Sequence, residues 1–526
     1  METVNRCDES HDTGAVQALA GRMFEQLAQH FPVCSGSDEF HYFPQAQPLE
    51  HDWSRWDDFS PGAVEEVAGK LLAWEKDLSD LGEKGLDRNT RIDISILSQV
   101  ARTLREQLVE VRPQHTQPTF YLTIAGIGLA EAMDQKPAVW AGRVKGLPAF
   151  LDHARNHLRH IPVLFKDLGL EMIGPTRSWL ASVSHIRPGV EPVIEALDRF
   201  EDHLRQVLPR DSFLLAPELL ERVVRHHTGC GMGTDEARKA LDEEFREMKQ
   251  IMDEEAGRLS PGASWQEVFE ALPLPPLPKD GLVGLYREAV CALGRHCVEQ
   301  DLVAPEVFRS CPVRVAPVPS YLRTIRSAAA YSIPPGHPPS GGTFFVIDAD
   351  QPKRVPRALY RDYRMLAAHE TYPGHHLLDV SRWGLERALR RPIEFPIFYE
   401  GWACFAEDLL TYTGYFHGAA DRLLLARRHF WRAIRGKADL NIQTGTMDLA
   451  TAAGCLTQAG MSRERAASVV RQYALKPGYQ LCYTMGVRRF RELYERFTGD
   501  GPRDFARQVL AEGEIGFDHL ASVLVS

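Results

Sequence analysis

The chain has 526 residues, of which 44% are hydrophobic and 25% charged, as in an ordinary soluble globular protein. Its formal net charge of -10 argues against a nucleic acid or an anionic membrane surface as the main partner. The amino terminus has no apolar run, no apolar stretch approaches about 20 residues, and the nine cysteines contain no C-x-x-C pair. These features predict a cytoplasmic protein with reduced thiols. The oligomeric state cannot be read from them.

Helical periodicity dominates the first half of the chain. Apolar residues recur at three- and four-residue spacing in residues 15–30, 61–81, 89–111 and 234–255. Breaks rich in proline and glycine follow between residues 260 and 281 and mark a connection between lobes. We therefore predict an N-terminal helical lobe over residues 1–260. A second lobe, residues 261–526, carries a small sheet and C-terminal helices, and the two pack as one unit.

Strand signals concentrate between residues 311 and 348. C-P-V-R-V-A-P-V-P (311–319) and G-G-T-F-F-V-I-D (341–348) are rich in β-branched and aromatic residues and are bounded by turn residues. The predicted fold class is therefore mainly α, with a small β-sheet near residues 311–348. We expect the strand G-T-F-F-V-I to line a cleft and to bind an extended substrate by edge pairing.

The stretch A-A-H-E-T-Y-P-G-H-H-L-L (367–378) departs from the H-E-x-x-H signature of zinc hydrolases. In a regular helix His375 would point about 240° away from His369, and His376 would lie about 10 Å along the axis, so neither could share an ion with His369. Pro373 lacks an N–H and clashes with the carbonyl four residues back, and Gly374 adds backbone freedom. A two-residue bulge there would return His375 to the usual ligand position.

A third ligand is available in the next helical segment, P-I-F-Y-E-G-W-A-C-F-A-E-D-L-L. Glu400 and Glu407 are seven residues apart and share one helix face. Buried carboxylates are paired or coordinate metals. We predict that Glu400 is the third ligand and that Glu407 orients a ligating histidine. The site would hold one divalent metal ion, with zinc expected.

Taken in order, these two motifs resemble those of the bacterial domain-of-unknown-function 885 family, H-E-x-x-P-G-H and then E-G-W-A-x-x-x-E. That family resembles the gluzincin, thermolysin-like metallopeptidases. The resemblance includes H-F-P-V-C-S-G-S-D, A-A-Y-S-I-P-P and K-P-G-Y-Q-L-C-Y-T-M-G. It implies a large helical metallopeptidase-like fold that encloses a deep groove. It also implies that His369, His375 and Glu400 bind the metal and that Glu370 is the base.

The resemblance further implies roles for residues around the metal. His376 would support a ligand or face the substrate, and Tyr331, in A-A-Y-S-I-P-P, belongs to the same group. Gln480 and Tyr483 fall where related peptidases use a tyrosine to stabilise the oxyanion. Tyr483, or Arg488 from the same helix, would stabilise that charge or hold a substrate carboxylate.

We predict a zinc-dependent hydrolase that cleaves an amide or peptide bond in a short peptide or small amidated metabolite, with Glu370 as general base. The chain departs from the family at Gln443, where a histidine is usual, and this favours a specialised substrate or altered chemistry. One alternative is a metalloenzyme of specialised small-molecule metabolism that uses the same ligands for lyase or iron-dependent chemistry. Another is a catalytically silent helical binding protein.

Overall fold

The computed structural model describes residues 2–46, 52–81, 85–133, 135–318, 329–346 and 357–525. Within these residues the protein is mainly α-helical, which confirms the predicted fold class. The chain divides into two compact units. Unit 1 contains Met1–Leu215 and Arg387–Ile393, and unit 2 contains Ala216–Val318, Ala328–Glu386 and Glu394–Ser526. The lobe boundary near residue 260 and the deep groove stay predictions.

Unit 1 is built from helices whose starts follow the usual capping preferences. The Ser60 hydroxyl accepts a backbone N–H at the start of Pro61–Asp80, and a proline occupies the first turn. The helices predicted at 15–30, 61–81 and 89–111 coincide with observed helical segments, the last ending in a π-helical turn. In chain order the elements are α1 (Glu2–His30), α2 (Pro32–Gly36), α3 (Pro61–Asp80), α4 (Arg88–Glu106), α5 (Pro113–Thr116), α6 (Pro118–Met133), α7 (Pro137–His157), β1 (His160–Pro162), α8 (Val163–Val183), α9 (Glu191–Gln206) and β2 (Leu208–Arg210). β1 and β2, which the sequence does not predict, pair in parallel.

Unit 2 contains the predicted sheet and both sequence motifs. Its elements are α10 (Pro217–Arg222), α11 (Thr234–Leu259), α12 (Trp265–Ala271), α13 (Gly281–Glu299), α14 (Pro305–Ser310), β3 (Val313–Pro317), β4 (Ala330–Ser332), β5 (Gly342–Val346), α15 (Arg357–Arg361), α16 (Tyr363–Glu370), α17 (His375–Gly384), α18 (Pro396–Tyr412), α19 (Ala419–Gln443), α20 (Leu449–Gln458), α21 (Arg463–Tyr473), α22 (Leu481–Arg496), α23 (Gly501–Glu512) and α24 (Phe517–Leu524). The helix predicted at 234–255 is observed as α11.

The three-stranded sheet of unit 2 has the order β3-β5-β4. β5 pairs in parallel with β3, with Phe344 opposite Val315, and antiparallel with β4, with Phe344 opposite Tyr331. Both predicted strands are therefore present, although their residues 319, 347 and 348 lie outside the described residues, and the sequence does not predict β4. Because β5 is the central strand, the expected edge pairing of a substrate with it is wrong.

Close packing of α18 on α22 positions much of the interior of unit 2. A Cβ added to Gly401 would lie 2.5 Å from the Cα of Gly486, so both positions must be glycine for the two backbones to approach this closely. Phe398 and Trp402 of α18 pack on Phe490 of α22, with ring centroids 5.1 Å and 5.6 Å apart. α18 also contacts α16, α17 and α19, and this burial explains its apolar sequence.

In the part of the chain that the structure describes, no helix is both long and apolar enough to span a lipid bilayer.

Candidate metal centre

The helix that carries the first histidine stops at Glu370, and a second helix starts at His375. The predicted continuous helix with a bulge is therefore wrong, because residues 371–374 leave the helical conformation altogether. The N–H of Gly374 donates to the carbonyl of Ala368 at 3.0 Å, six residues back instead of four. The two inserted residues are thus accommodated in a compact turn between α16 and α17.

One contact explains the glycine in this turn, and a second ties the turn to α18. A Cβ added to Gly374 would lie 1.9 Å from the carbonyl oxygen of His369, which leaves no room for any side chain. The carbonyl of Pro373 accepts the indole N–H of Trp402 at 2.9 Å, which ties the turn to α18. Trp402 belongs to the E-G-W-A motif, so the two motifs are in direct contact.

The structure brings the three predicted ligands together. One ligand atom from each of His369, His375 and Glu400 can be chosen so that all three lie within 4.8 Å of one another, and all three residues are buried. The Nε2 atoms of His369 and His375 each lie 3.5 Å from Oε2 of Glu400. The imidazole rings are 4.8 Å apart and nearly perpendicular.

These donors fit a divalent metal ion. Oε2 of Glu400 is buried and has no hydrogen-bond partner among the described residues, although a buried carboxylate oxygen normally has one. Two atoms that each bind a tetrahedral zinc at about 2.1 Å lie about 3.4 Å apart. The observed separations of 3.5 Å match that spacing. Two histidines and one glutamate are also a ligand set of catalytic zinc sites.

Glu407 lies behind His369, as the sequence predicts. Its Oε1 atom is 3.2 Å from Nδ1 of His369, so the imidazole can donate its N–H there and present Nε2 to the ion. Arg428 donates to both carboxylate oxygens at 2.8 Å, and Arg432 donates as well. Burial alone would raise the pKa of Glu407, but the two arginines outweigh it and hold that pKa well below its usual range. Glu407 is therefore a fixed anion.

Two tyrosines lie beside Glu400. The hydroxyl of Tyr479 donates to Oε1 of Glu400 at 2.7 Å, which leaves Oε2 for an ion. Tyr483 packs parallel to His369, with 6.4 Å between ring centres. Burial and the Glu400 carboxylate raise the pKa of Tyr483 well above its usual value, so its hydroxyl stays protonated and can donate a hydrogen bond.

Glu370 is buried next to the ligand His369. Among the described residues it has no hydrogen-bond or ion-pair partner. Burial raises its pKa, while His369 and His375 lower it and Glu400 raises it. Because no other described residue hydrogen-bonds to its carboxylate, Glu370 is available to exchange a proton with a bound molecule.

His376 does not face the three ligands. Its Nδ1 accepts from the hydroxyl of Tyr331 at 2.8 Å and its Nε2 donates to the carbonyl of Cys311 at 2.9 Å. Burial lowers the pKa of His376 to about 4, in keeping with this neutral tautomer. With both ring nitrogens occupied, His376 and Tyr331 connect α17 to the region of the sheet, and His375 is the histidine that meets His369 and Glu400.

Three other residues named from the sequence have hydrogen-bond partners outside the ligand set. Arg488 donates to Glu243 and Glu244 of α11, which provides its charge partners. The amide oxygen of Gln480 accepts from Arg435. Gln443 donates to the carbonyl of Tyr473 at 3.1 Å. No contact of Arg488 or Gln443 with the ligands is found among the described residues.

Sequence reasoning missed the arginines of α19 and Tyr479. Arg428, Arg432 and Arg435 follow one another at four- and three-residue spacing, and therefore share one face of α19. The total of seven residues equals the separation of Glu400 and Glu407. This shared spacing could have indicated from the sequence that the arginines face the two carboxylates. Tyr479 directly precedes the predicted Gln480, but nothing in the sequence singles it out.

The mainly helical fold is shared with the putative lipoprotein from Colwellia psychrerythraea, with a TM-score of 0.74 over 97% of this chain and 98% of that one at 16% identity. It is also shared with a putative lipoprotein of unknown function from Shewanella oneidensis, with a TM-score of 0.72 over 96% and 98% at 15% identity. At these identities the likeness shows the fold alone.

Sequence comparison identifies the family. Residues 176–524, about two thirds of the chain, match the family described as bacterial protein of unknown function (DUF885). The chain belongs to this family, which confirms the resemblance seen in its motifs. No functionally curated protein matches the chain significantly.

Proposed function

We propose that this protein is a metal-dependent hydrolase that cleaves an amide or peptide bond in a short peptide or small amidated molecule. The observation that carries the proposal is the convergence of His369, His375 and Glu400 within 4.8 Å beside the unpaired carboxylate of Glu370. Its relation to gluzincin metallopeptidases is part of the same proposal. A zinc ion held by these three residues would polarise a carbonyl as a Lewis acid and make water a stronger nucleophile.

Glu370 is the proton carrier in this proposal. Its carboxylate takes a proton from the attacking water and delivers it to the leaving nitrogen, so that the amide breaks into an acid and an amine. Burial and the absence of a competing partner support this role, because Glu370 can then interact with the substrate alone. A cation bound by the neighbouring histidines would place positive charge beside Glu370.

Tyr483 is the proposed donor to the negative charge that develops on the carbonyl oxygen. Its raised pKa keeps the hydroxyl protonated, and its ring is held parallel to His369. A donor that is already positioned stabilises such a charge more than water does. Arg488 is not proposed for this role, since Glu243 and Glu244 already pair with it.

The test combines metal analysis with one conservative substitution. Purified protein should contain about one zinc ion per chain. Glu370→Gln should keep that metal and lower turnover of an amide substrate, found by mass-spectrometric screening of short peptides and N-acyl amino acids, by roughly 100- to 10,000-fold. Glu386→Gln, at an exposed position, is the matched control and should keep both properties. Protein that binds no metal at saturating zinc would refute the proposal.

The same three donors are also a ligand set for non-haem iron, which is the basis of the second candidate function. Iron as the bound metal, together with failure to hydrolyse any member of the screen, would favour lyase or iron-dependent chemistry. A catalytically silent binding protein would hydrolyse nothing with any divalent ion. Metal identity and the screen therefore separate the three alternatives.

The cellular location also belongs to the proposal. The sequence predicts a cytoplasmic protein, whereas two solved structures that share this fold are described as putative lipoproteins. Fractionation of the producing cells, with immunodetection of the chain, separates a cytoplasmic protein from a lipid-anchored one.

A further inference from the structure

Arg435 differs from the other arginines of α19 that border the candidate metal centre. Arg428 and Arg432 both pair with Glu407. Arg435 instead donates to the amide oxygen of Gln480, and its Nε atom is 2.9 Å from that oxygen. Its guanidinium lies over the ring of Tyr483. Within the described residues no carboxylate forms an ion pair with Arg435. The hydrogen-bond acceptor of this guanidinium is thus neutral, and the carboxylates of Glu400 and Asp439 act on its charge without pairing with it directly.

The ring of Tyr483 lies between Arg435 and His369, a ligand of the candidate metal centre. Its Cζ atom is 4.7 Å from the centre of the Tyr483 ring, which is in turn 6.4 Å from the ring centre of His369. The guanidinium therefore lies within about 11 Å of the His369 ring. The side chain is only half-buried, so a bound molecule can reach it. An extended residue spans about 3.5 Å, so a group one or two residues from a reacting amide would meet Arg435.

The charges around the centre also favour an anion. Four carboxylates, Glu370, Glu400, Glu407 and Asp439, surround the centre together with Arg428, Arg432 and Arg435. With all four ionised, a divalent cation bound by neutral histidines and Glu400 would leave one surplus positive charge. Because the centre is buried, this surplus is screened by solvent less than it would be at the surface.

We propose that Arg435 is the specificity-determining residue of the candidate centre and binds a carboxylate of the substrate, so that the preferred substrates are N-acyl amino acids or short peptides with a free carboxyl terminus. The inference rests on the proposed function for the reacting amide. Arg435 offers its planar fork to the two carboxylate oxygens, an arrangement that lysine cannot reproduce. Gln480 orients the guanidinium by accepting from Nε and Nη2, which leaves the edge formed by Nη1 and Nη2 for the carboxylate.

Binding, measured without turnover, tests the inference. Metal-loaded Glu370→Gln protein is dialysed to equilibrium against an equimolar pool of the twenty N-acetyl amino acids and their carboxamides, and mass spectrometry quantifies the bound fraction of each. We expect at least one N-acetyl amino acid to be retained about tenfold more than its carboxamide. Adding Arg435→Gln should reduce this preference towards unity, and Arg435→Lys should keep part of it.

The matched control is Arg489→Gln in the same background, because Arg489 lies on α22 and pairs with Glu492 and Asp518 at the surface. It should retain the full preference, and thermal melting of each variant checks that the fold is intact. Equal retention of acids and carboxamides, no retention of either, or a preference that persists in folded Arg435→Gln would overturn the inference. Acid-selective binding without hydrolysis by the wild type would refute the proposed function alone. Hydrolysis of acids and carboxamides at equal rates would refute the inference alone.

Discussion

The two carboxylate oxygens of Glu400 have different surroundings. Oε1 accepts from the hydroxyl of Tyr479 at 2.7 Å, while Oε2 faces the two histidines and has no other partner among the described residues. Burial would raise the pKa of Glu400, but His369 and His375 outweigh it and hold that pKa well below its usual range. The hydrogen bond from Tyr479 therefore orients an ionised carboxylate towards the place where an ion fits.

Tyr479→Phe tests this orienting role. Loss of the hydroxyl leaves Oε1 without its donor, and we expect the affinity for zinc to fall by roughly 10- to 100-fold while the fold is kept. Competition with a chromogenic chelator measures the affinity. Tyr412→Phe is the control, because that ring lies exposed at the end of α18. Equal zinc affinity in the wild type and Tyr479→Phe would contradict the prediction.

Asp439 is a second buried carboxylate that supports this region. Its Oδ2 accepts the N–H of Gln480 at 3.0 Å, next to Tyr479 and at the start of α22. Burial raises the pKa of Asp439 to about 7, against the lowering effect of the hydrogen bonds that it accepts. In an unfolded chain the same group would titrate near 3.8.

This difference predicts how stability depends on pH. Because the folded state binds the Asp439 proton more tightly than the unfolded state does, its contribution is complete below pH 3.8 and is lost as pH rises towards about 7. Asp439→Asn removes this titration, so the variant should gain stability relative to the wild type from about pH 5 to about pH 7, by roughly 2 kcal/mol. Thermal or urea unfolding across this range measures the gain. Asp448→Asn, at an exposed cap where the Thr451 N–H lowers the pKa, should show no such gain. A constant difference between wild type and Asp439→Asn would contradict the assignment.

The turn between α16 and α17 is the element that assembles the candidate site. The turn stands where a continuous helix was expected. Its backbone contacts bring the start of α17 beside the end of α16. The carbonyl of His369 lies against Gly374 so closely that the turn depends on the absence of a side chain. The distance between the two histidines is therefore set by backbone packing.

Gly374→Ala tests this dependence. The added Cβ, at 1.9 Å from the His369 carbonyl oxygen, must push α16 and α17 apart. We expect loss of measurable zinc binding and a destabilisation of about 2 kcal/mol or more, measured by chelator competition and thermal melting. Gly384→Ala, at the other end of α17, meets no atom within 4 Å and should leave both unchanged. Normal zinc binding by Gly374→Ala would show that the turn is not required.

For the whole molecule, all three candidate ligands lie in unit 2. α16, α17 and α18 supply them, and the contacts of Glu407 extend the centre to α19. An ion that joins these elements would stabilise the folded state alone, since the unfolded chain does not hold the ligands in place.

Removal of metal should therefore lower the thermal stability. Free ion at a thousandfold excess over its dissociation constant contributes about 4 kcal/mol, and a chelator should abolish this increment. Calorimetry with and without chelator measures it, and hydrogen exchange should show protection concentrated in α16, α17 and α18. Glu400→Gln should lose the response, whereas Glu386→Gln should retain it. A melting temperature that does not respond to chelator in the wild type would contradict a metal centre.

What the sequence by itself determined is chiefly local. The helices at 61–81 and 234–255 and the two long strands of the small sheet follow from periodicity, capping residues and β-branched content, which act over a few residues. The grouping of His369, His375 and Glu400 was also readable, since two spaced motifs and a proline-glycine break define it. The break itself was foreseen, but its form as a turn between two helices was not.

The tertiary structure alone decided which side chains surround those ligands. Tyr479 reaches Glu400 across 79 residues, a separation at which no sequence periodicity operates. It also decided that β5 is central and that His376 faces Tyr331. Local propensities specify where helices begin and end, whereas the helix that packs beside a given face depends on contacts formed only when the whole chain is folded. For that reason the anion-binding arginine was expected at Arg488 from the sequence and is proposed at Arg435 from the fold.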